Sequence, residues 1–480
     1  MQNPDYTVPA LFVDGEWITE TARKGEVLNP ATGEVLASFP FADSALIDRA
    51  LASSEAGFEV WRKTSYEERI DIMHRAAGIV RKNAEDMARH MTLELGKPLA
   101  DSEGEVENCA SLLEWFSSAA AEHDDRTLAE MPGFSDRTVR KEPIGPVAAF
   151  SPWNFPASLA TRKMAAALAV GCSVIVKPAE ETPASFMTVV QALDEAGLPK
   201  GVLNLLLGDP EEISTRLIES PIIRKVVFTG STRVGQQLAA MSGKQAKPCV
   251  MELGGHAPVL VFKDTDLEKA IAQSVTSKSR NAGQVCISPT RFFIEEDIFE
   301  EFTEKFAKTF SALQLGDGLE PESQMGPLAH PRRMDDVDAL VQDAIAQGAR
   351  LVTGGKRLDR DGNFYAPTVL ADVPDTARIM QEEPFGPIAI MNRFNSYDEA
   401  IEKANNTDFA LASYAFTGSQ ETADRLAKDL DSGKVGINGY PVVFLDSPLG
   451  GRRMSGYGSE GGYEGLDAYR IVKFVSQSEI

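Results

Sequence analysis

Residues 146–177 read PVAAFSPWNFPASLATRKMAAALAVGCSVIVK, and this stretch decides the fold class. Its two ends, residues 147–150 and 173–177, are short apolar runs with the length and composition of buried strands. A helix fills the gap between them. The longest apolar run, residues 164–176, contains Gly171 and is too short to cross a bilayer. A strand, a helix and a second strand in this order predict a parallel sheet covered by helices.

The same alternation continues through the rest of the chain. Further predicted strands are residues 202–207, 225–228, 249–253, 291–294, 349–352, 388–392, 411–416 and 434–438. One connecting helix is predicted to begin with Thr182 as its N-cap and Pro183 at its first position, and to stop at Gly197. The chain is therefore predicted to be an α/β protein with two largely parallel sheets, divided near Gly254-Gly255.

The N-terminal part has a different pattern. Tight turns at Asp14-Gly15 and Thr32-Gly33 predict paired strands in the first forty residues. Apolar residues then recur every three or four positions from Ile70 to Leu95, which predicts one long helix that ends at Gly96. Residues 122–141 are rich in charged and turn residues and are predicted to project from the first domain.

Composition limits the class of protein. The chain has 480 residues, of which 43% are hydrophobic and 25% charged, as in soluble globular proteins. A net charge of -23 argues against a nucleic-acid partner, because phosphate binding depends on basic clusters. No secretory signal is predicted, because residues 1–20 contain no basic residue and no long apolar core.

The cysteines predict a reducing compartment. Cys109, Cys172, Cys249 and Cys286 form no C-x-x-C pair and no regular framework, which is typical of free thiols. We therefore expect a cytoplasmic protein with no membrane partner, and no metal site is predicted.

Cys286 is the strongest candidate for chemistry. It lies in the run NAGQVCIS, residues 281–288, and Glu252 lies 34 positions upstream. With Asn154 in the run SPWNFP, these residues offer a thiol nucleophile, a carboxylate base and an amide donor. No histidine is placed to complete a Cys-His pair. A cysteine is otherwise usually a small core residue, which is our interpretation of Cys172 and Cys249.

Six motifs identify a family. They are SPWNFP at residues 151–156, KPAE at 177–180, FTGS at 228–231, ELGG at 252–255, GQVC at 283–286 and EEPFGP at 382–387. With them the chain resembles the NAD(P)-dependent aldehyde dehydrogenase superfamily from about Asp14 to Phe474. It most resembles the succinate semialdehyde and α-ketoglutarate semialdehyde dehydrogenase branch.

The resemblance implies a domain plan. We expect the aldehyde dehydrogenase fold, in which a Rossmann-like NAD-binding domain comprises residues 1–121 and 142–254. The α/β catalytic domain would comprise residues 255–454. Residues 122–141 and 455–480 would be bridging segments that join copies into a homodimer or homotetramer.

The resemblance also assigns catalytic roles. The thiol of Cys286 would add to an aldehyde to give a thiohemiacetal, whose carbon expels hydride and leaves a thioester. Glu252 would activate water to hydrolyse the thioester; relatives that pass the acyl group to coenzyme A or phosphate typically lack this glutamate. Asn154 and the backbone N–H of Cys286 would stabilise the oxyanion. The other interpretations are a solvent-exposed acid for Glu252 and a turn residue for Asn154.

The expected cofactor is NAD, with NADP as the alternative. Gly230 and Ser231 follow a strand and open a helix, whose free N–H groups would bind the pyrophosphate. The remaining expected cofactor contacts are Trp153, Lys177, Glu180, Glu383 and Phe385. A carboxylate at Glu180 would repel a 2′-phosphate, and relatives that use NADP often carry a small polar residue there.

Two arginines indicate the substrate. Arg162 and Arg280 occupy positions where broad-specificity relatives present aromatic side chains, and they could clamp the distal carboxylate of a semialdehyde. The other expected substrate contacts are Phe155, Ser288, Val443 and Phe444. In its middle the loop 438–448 has Val443 and Phe444 where succinate semialdehyde enzymes have a serine or asparagine, which disfavours a short four-carbon substrate and leaves room for a longer or aromatic one. An aromatic or aliphatic aldehyde without a carboxylate is the alternative.

Overall fold

The computed structural model describes residues 6–122 and 125–478. The strands are β1 Leu11–Val13, β2 Glu16–Ile18, β3 Lys24–Leu28, β4 Val35–Pro40, β5 Arg126–Thr127, β6 Phe134–Pro143, β7 Val147–Phe150, β8 Val174–Lys177, β9 Leu203–Leu205, β10 Lys225–Thr229, β11 Cys249–Glu252, β12 Ala257–Val261, β13 Pro289–Glu295, β14 Arg350–Thr353, β15 Thr368–Ala371, β16 Ile388–Phe394, β17 Phe409–Ala410, β18 Ala412–Phe416, β19 Lys434–Ile437, β20 Arg452–Arg453, β21 Gly456–Tyr457 and β22 Arg470–Ser478.

The α-helices are α1 Ser44–Trp61, α2 Tyr66–Lys82, α3 Ala84–Leu95, α4 Leu99–Ala120, α5 Pro156–Val170, α6 Pro183–Glu195, α7 Pro210–Glu219, α8 Thr232–Lys244, α9 Leu267–Ser279, α10 Phe299–Ser311, α11 Pro331–Ala346, α12 Arg378–Gln381, α13 Tyr397–Asn405, α14 Gln420–Asp429 and α15 Gly462–Asp467. None of the described helices is long and apolar enough to cross a membrane.

The first sheet has eight strands in the order β2-β1-β9-β8-β7-β10-β11-β21. Its central strands, from β9 to β11, are parallel to one another. The chain runs outward from β7 through β8 to β9, and then returns to place β10 on the other side of β7. The carboxyl ends of β7 and β10 therefore form a topological switch point, where open α/β sheets bind their ligands.

The second sheet has seven strands in the order β14-β15-β16-β13-β12-β18-β19, and all neighbours except β14 and β15 are parallel. Residues 253–256 connect β11 of the first sheet directly to β12 of the second. This short connection holds the two sheets close together. The predicted α/β fold with strand-helix alternation is confirmed.

A third sheet joins the two predicted bridging segments. The strand β22 pairs with β6 along its whole length, and β5 pairs with the other edge of β6. On β22 the side chains of Ile471, Val472 and Phe474 are exposed although they are apolar. The strand β21, also within residues 455–480, instead pairs with β11 of the first sheet.

Buried aliphatic and aromatic side chains form one core around the first sheet and its helices, and one core on each face of the second sheet. Helix α4 packs against both α2 and α5, and its Glu105 accepts the N–H of Ala157 at the start of α5, shortly after the carboxyl end of β7. Burial of these apolar stripes stabilises each helix more than its intrinsic propensity does.

One local prediction was wrong, and a second was confirmed in position only. The apolar stripe of residues 70–95 is divided between α2 and α3, because Asn83 leaves the helical conformation at φ -102° and ψ 16°. Thr182 and Pro183 take the predicted N-cap and first helical positions of α6, but the side chain of Thr182 makes no capping hydrogen bond. The buried carboxylate of Glu94, which comes from α3, accepts the N–H groups of Ala184 and Ser185 instead and thus caps α6 from a distance.

Candidate active site

Cys286 lies in a tightly constrained turn between the 3-10 segment Arg280–Gly283 and β13. Asn281, Ala282 and Gly283 have positive φ angles of 47°, 52° and 73° in succession. For the two non-glycine residues this conformation costs roughly 1 kcal/mol each. Only glycine fits at position 283, because a Cβ there would lie 2.1 Å from the carbonyl oxygen of Gly386. Strain of this kind persists only where neighbouring contacts hold the turn.

A web of amide hydrogen bonds holds the turn. Asn154 donates its Nδ2 to the backbone oxygen of Gln284 at 3.1 Å. Asn281 donates to the backbone oxygen of Asn154 at 3.0 Å, and the side chain of Gln284 donates back to the oxygen of Asn281 at 3.0 Å. An amide nitrogen carries a second N–H. Asn154 therefore positions the turn and keeps one donor for another acceptor.

The thiol of Cys286 lies between two cavities and lines both of them. Burial raises the pKa of this thiol to about 12, and the carboxylates of Glu383 and Glu252 add to the increase. The backbone N–H groups of Cys286 and Ile287 oppose it. A thiol with this pKa is protonated at neutral pH and must lose its proton before it can act as a nucleophile.

Glu252 ends β11 and is buried. Its Oε1 has no hydrogen-bond partner among the described residues. Burial, and then the charge of Glu460, raise the pKa of this carboxyl well above its ordinary value, which Lys163 and Lys434 oppose. The carboxyl group does not line the cavities at Cys286, so it must rotate about its side-chain bonds to reach them.

A buried polar cluster next to Glu252 was not predicted from the sequence. Lys163 of α5 pairs with Glu460 at 2.9 Å, and Thr229 donates to the other oxygen of Glu460 at 3.1 Å. The sequence signals were a lysine within an apolar helix and an acid among the glycines of residues 456–465. Buried charges are usually paired and satisfied in this way, because an unpaired charge would be costly.

The predicted cofactor residues of the first domain come together at the switch point. Trp153, Lys177, Glu180, Gly230 and Ser231 all line one cavity of 880 Å³. Lys177 and Glu180 form an ion pair. Burial raises the pKa of Glu180, against the effect of Lys177. Three further acids of the same cavity wall, Glu181, Asp209 and Glu211, add negative charge, and Lys244 adds one positive charge.

A smaller cavity of 180 Å³ continues from this one to Cys286. Both cavities are lined by Trp153 and Gly230, and the smaller one adds Glu383 and Phe385. The carboxylate of Glu383 accepts the N–H of Gly255 at 2.9 Å, and burial raises its pKa to about 7. Phe385 has a φ of 43°, and its ring meets that of Trp153 edge-on at 5.5 Å.

The donor set of the two cavities fits a dinucleotide. Helix α8 begins at the cavity wall, so its first N–H groups are available to a phosphate. The hydroxyl of Ser151, which lines the same cavity, is buried without a hydrogen-bond partner among the described residues. The predicted cofactor residues thus extend from Glu180 through the two cavities to Cys286.

A third cavity, of 410 Å³, reaches Cys286 from the other side. It brings together Arg162, Arg280 and Phe155 with Val443 and Phe444. Arg162 is buried and its Nη1 has no hydrogen-bond partner among the described residues, whereas Arg280 is exposed and lies over the ring of Phe155 at 4.9 Å. Helix α4 adds Gly104, Glu105 and Asn108, which the sequence did not indicate.

Ser288 is the one predicted substrate residue that the structure places elsewhere. It lines a neighbouring cavity that shares Arg280 and Val443 with the third cavity. Its hydroxyl accepts a hydrogen bond from Lys278 at 3.2 Å. Burial lowers the pKa of Lys278 to about 7.

Comparisons with known proteins identify the family. The aldehyde dehydrogenase family model matches residues 17–475. A 4-(hydroxymethyl)benzenesulfonate dehydrogenase of Comamonas testosteroni is 43% identical over 98% of each chain. A 3-sulfolactaldehyde dehydrogenase of Pseudomonas putida is 39% identical over 99% of this chain and 98% of that one. The crystal structure of a succinate-semialdehyde dehydrogenase of Burkholderia pseudomallei has a TM-score of 0.96 and 39% identity over 100% of both chains. The chain belongs to the aldehyde dehydrogenase family and is an NAD(P)-dependent enzyme that oxidises aldehydes.

Proposed function

We propose that this enzyme oxidises an aldehyde that carries an anionic group at its far end, and that it releases a free carboxylic acid. The observation that carries the proposal is the single cavity lined by Cys286, Arg162 and Arg280. A guanidinium binds a carboxylate through paired hydrogen bonds, which would orient the aldehyde toward the thiol. The preferred substrates are carboxylate-bearing semialdehydes such as succinate and α-ketoglutarate semialdehyde.

Cys286 starts the reaction. Its thiol gives its proton to a water molecule of the cavity, and the sulfur adds to the aldehyde carbon to form a thiohemiacetal with a charged oxygen. The free N–H of Asn154 and the backbone N–H of Cys286 stabilise that oxygen, and losing such a donor typically costs about 100- to 1000-fold in rate. The bound NAD(P) supplies the hydride acceptor. Once the carbon has lost its hydride, a thioester remains on Cys286.

Glu252 completes the reaction. It takes a proton from a water molecule, whose oxygen attacks the thioester carbon. The carbon–sulfur bond then breaks, which frees the acid and restores the sulfur of Cys286. The buried position of Glu252 supports this role, because a raised pKa makes a carboxylate a better base near neutral pH.

An aromatic aldehyde with a distal carboxylate or sulfonate is the second candidate. The cavity of 410 Å³ exceeds the needs of a four-carbon acid, and much of its wall is apolar. The apolar lining residues include Phe155, Val443, Phe444, Leu445 and Leu449. Two similar relatives are named for sulfonated compounds, one of them aromatic. A sulfonate presents oxygen acceptors to a guanidinium much as a carboxylate does.

NAD is the proposed cofactor in preference to NADP. The carboxylate of Glu180 would accept hydrogen bonds from the adenosine ribose, with Lys177 beside it. The acids Glu181 and Glu211 on the same wall would further oppose a 2′-phosphate. At the other end, Glu383 would hold the nicotinamide ribose and Phe385 would pack near the ring.

We also propose that copies of this chain associate through the third sheet. The exposed side chains of Val472 and Phe474 form an apolar surface on β22, and surfaces of this type commonly mark contacts between chains. If this proposal is correct, the double variant Val472→Glu, Phe474→Glu should elute as a smaller species in size-exclusion chromatography with light scattering. An unchanged mass would contradict it.

The substrate proposal can be tested with steady-state rates. Matched aldehydes would be 4-carboxybenzaldehyde, 4-sulfobenzaldehyde and benzaldehyde, beside succinate and α-ketoglutarate semialdehydes, each with NAD. We expect Arg162→Ala and Arg280→Ala to reduce kcat/KM at least tenfold for the anionic aldehydes. The value of kcat/KM for benzaldehyde should change by less than about twofold. Equal losses for all aldehydes, or no preference for anionic ones in the unmodified enzyme, would contradict the clamp.

A further inference from the structure

Arg333 lies at the junction of the two sheets. It comes from the first turn of α11, which belongs to the second domain, yet it lines the 180 Å³ cavity together with Cys286 and Glu383. The N-cap residue His330 fixes this turn, because its Nδ1 accepts the N–H of Arg333 at 3.1 Å. The ring of His330 in turn meets that of Trp153 edge-on at 5.5 Å. Arg333 is thus held in the cavity wall.

The hydrogen-bonding capacity of Arg333 is only partly used. Its Nη2 pairs with Asp336 at 3.0 Å, but this partner is 63% exposed, so the pair is weak. The Nε atom is buried and has no hydrogen-bond partner among the described residues. A buried donor without an acceptor costs free energy comparable to a lost hydrogen bond. An acceptor that entered the cavity would remove that cost.

The charged residues around the cavity indicate that this acceptor is an anion. Arg333 is the only arginine or lysine among the residues that line the cavity, all of which the structure describes. Burial lowers the pKa of the lining residue His330 to about 4, so this imidazole is neutral at physiological pH. The one acid, Glu383, accepts the N–H of Gly255, and its charge and that of Arg333 attract each other. The cavity wall therefore offers one half-buried cation, with a buried Nε donor, for an anion.

We propose that Arg333 binds the phosphate of the nicotinamide half of the dinucleotide. The same cavity is lined by Gly230 and Ser231, where α8 begins, and by Glu383. A nucleotide that extended from Gly230 and Ser231 to Glu383 would bring its phosphate close to Arg333. The proposal rests on the placement of the cofactor given under the proposed function. It adds an anchor from the second domain to a cofactor otherwise held mainly by the first.

Binding without an aldehyde tests the proposal. The dissociation constant of NADH would be measured by its fluorescence, and those of nicotinamide mononucleotide and AMP by displacement of NADH. We expect Arg333→Ala to raise the dissociation constants of NADH and nicotinamide mononucleotide about tenfold or more. The dissociation constant of AMP should change by less than about twofold. Arg333→Lys should recover part of the loss, because it keeps the charge.

Two control variants separate a binding role from a structural one. The side chain of the neighbouring Arg332 is 81% exposed, so Arg332→Ala should leave all three constants unchanged. Asp336→Ala removes the surface partner of Arg333 and should also have little effect. If Asp336→Ala reproduces the loss, or if Arg333→Ala leaves nicotinamide mononucleotide unchanged, the proposal is wrong.

A further variant distinguishes failure of this proposal from failure of the cofactor placement. Glu180→Ser should weaken AMP, because Glu180 lies at the other end of the cleft. If Glu180→Ser weakens AMP while Arg333→Ala changes nothing, only the role of Arg333 is refuted. If Glu180→Ser leaves the dissociation constant of AMP unchanged, the placement of the cofactor itself is refuted.

Discussion

Gly255 and Cys286 touch through their backbones: a Cβ atom on Gly255 would lie only 2.1 Å from the carbonyl oxygen of Cys286. Gly255 belongs to the connection that follows Glu252, and Cys286 lies in the strained turn before β13. The contact therefore sets the distance between the segments that carry the proposed base and the proposed nucleophile.

This contact predicts that Gly255→Ala displaces the Cys286 turn. We expect kcat/KM to fall at least 100-fold, because a shift of about 1 Å at a reacting atom can cost that much. Gly243→Ala is the matched control, since a Cβ there meets no atom within 4 Å and the residue lies in α8. Activity and melting temperature would be measured for both variants. Similar activity in the two would show that the contact does not position the thiol.

The charge of Glu383 predicts a change in thiol reactivity. Glu383 is the neighbouring carboxylate that most raises the pKa of Cys286, after burial itself. Glu383→Gln removes this charge, so the thiol pKa should fall and the thiolate fraction at pH 8 should rise. We expect iodoacetamide to modify Cys286 about three- to tenfold faster in this variant.

Glu382→Gln is the control for that measurement, because Glu382 is exposed and pairs with Arg378 on the surface. Its alkylation rate should equal that of the unmodified enzyme. Equal rates in Glu383→Gln and Glu382→Gln would mean that the charge of Glu383 does not control the thiol.

Cofactor preference should depend on Glu180. Replacing it with serine removes the carboxylate that opposes a 2′-phosphate and frees Lys177 to bind one. We expect Glu180→Ser to raise the ratio of kcat/KM for NADP to that for NAD by about tenfold or more. Glu181→Ser, which removes the neighbouring acid that pairs with Arg332, should shift the ratio much less. A ratio that is the same in Glu180→Ser and the unmodified enzyme would refute the assignment.

Lys278 predicts a pH-dependent stability. Burial lowers its pKa in the folded chain to about 7 from an ordinary value of 10.5. Between these values the unfolded chain binds more protons, so stability rises with pH over this range, and the cost of the buried charge is complete below pH 7. Lys278→Met removes the charge and should raise the melting temperature by roughly several degrees at pH 6, with a gain that shrinks toward pH 10.

The control for Lys278→Met is Lys269→Met, which removes an exposed lysine of the same helix α9. It should shift the melting temperature little at any pH. A gain for Lys278→Met that is constant from pH 6 to pH 10 would contradict this prediction, because it would show that folding does not lower the pKa of Lys278.

The sequence predicted the sheets well because their strands are short, apolar and bounded by turn residues. The strands β8, β10 and β16 lie close to their predicted positions. Two fully buried strands, β12 and β15, were missed although they are also apolar. The break at Asn83 was not predictable, since the apolar stripe continues through it. The cap of α6 was also not predictable from the sequence, because Glu94 is distant in sequence from the helix that it caps.

The candidate site was partly predictable for a similar reason. Cys286, Asn154 and the cofactor residues lie in compact motifs, and the structure brings these motifs to adjoining cavities. Glu460, Lys163 and Arg333 have no motif around them. Their importance comes from burial and from partners far away in the chain, which only the fold reveals. Ser288 shows the opposite case, because a position two residues from the nucleophile faces a different cavity.

The central claim is that the sulfur of Cys286 becomes acylated during aldehyde oxidation. The most direct measurement is a single turnover of Glu252→Gln with NAD and 4-carboxybenzaldehyde, followed by mass spectrometry of the intact protein and its peptides. We expect one equivalent of NADH per chain and an acyl group on the peptide that contains Cys286, which persists because hydrolysis lacks its base. Cys286→Ser should give neither. An acyl group on another residue, or undiminished turnover by Cys286→Ser, would contradict the account.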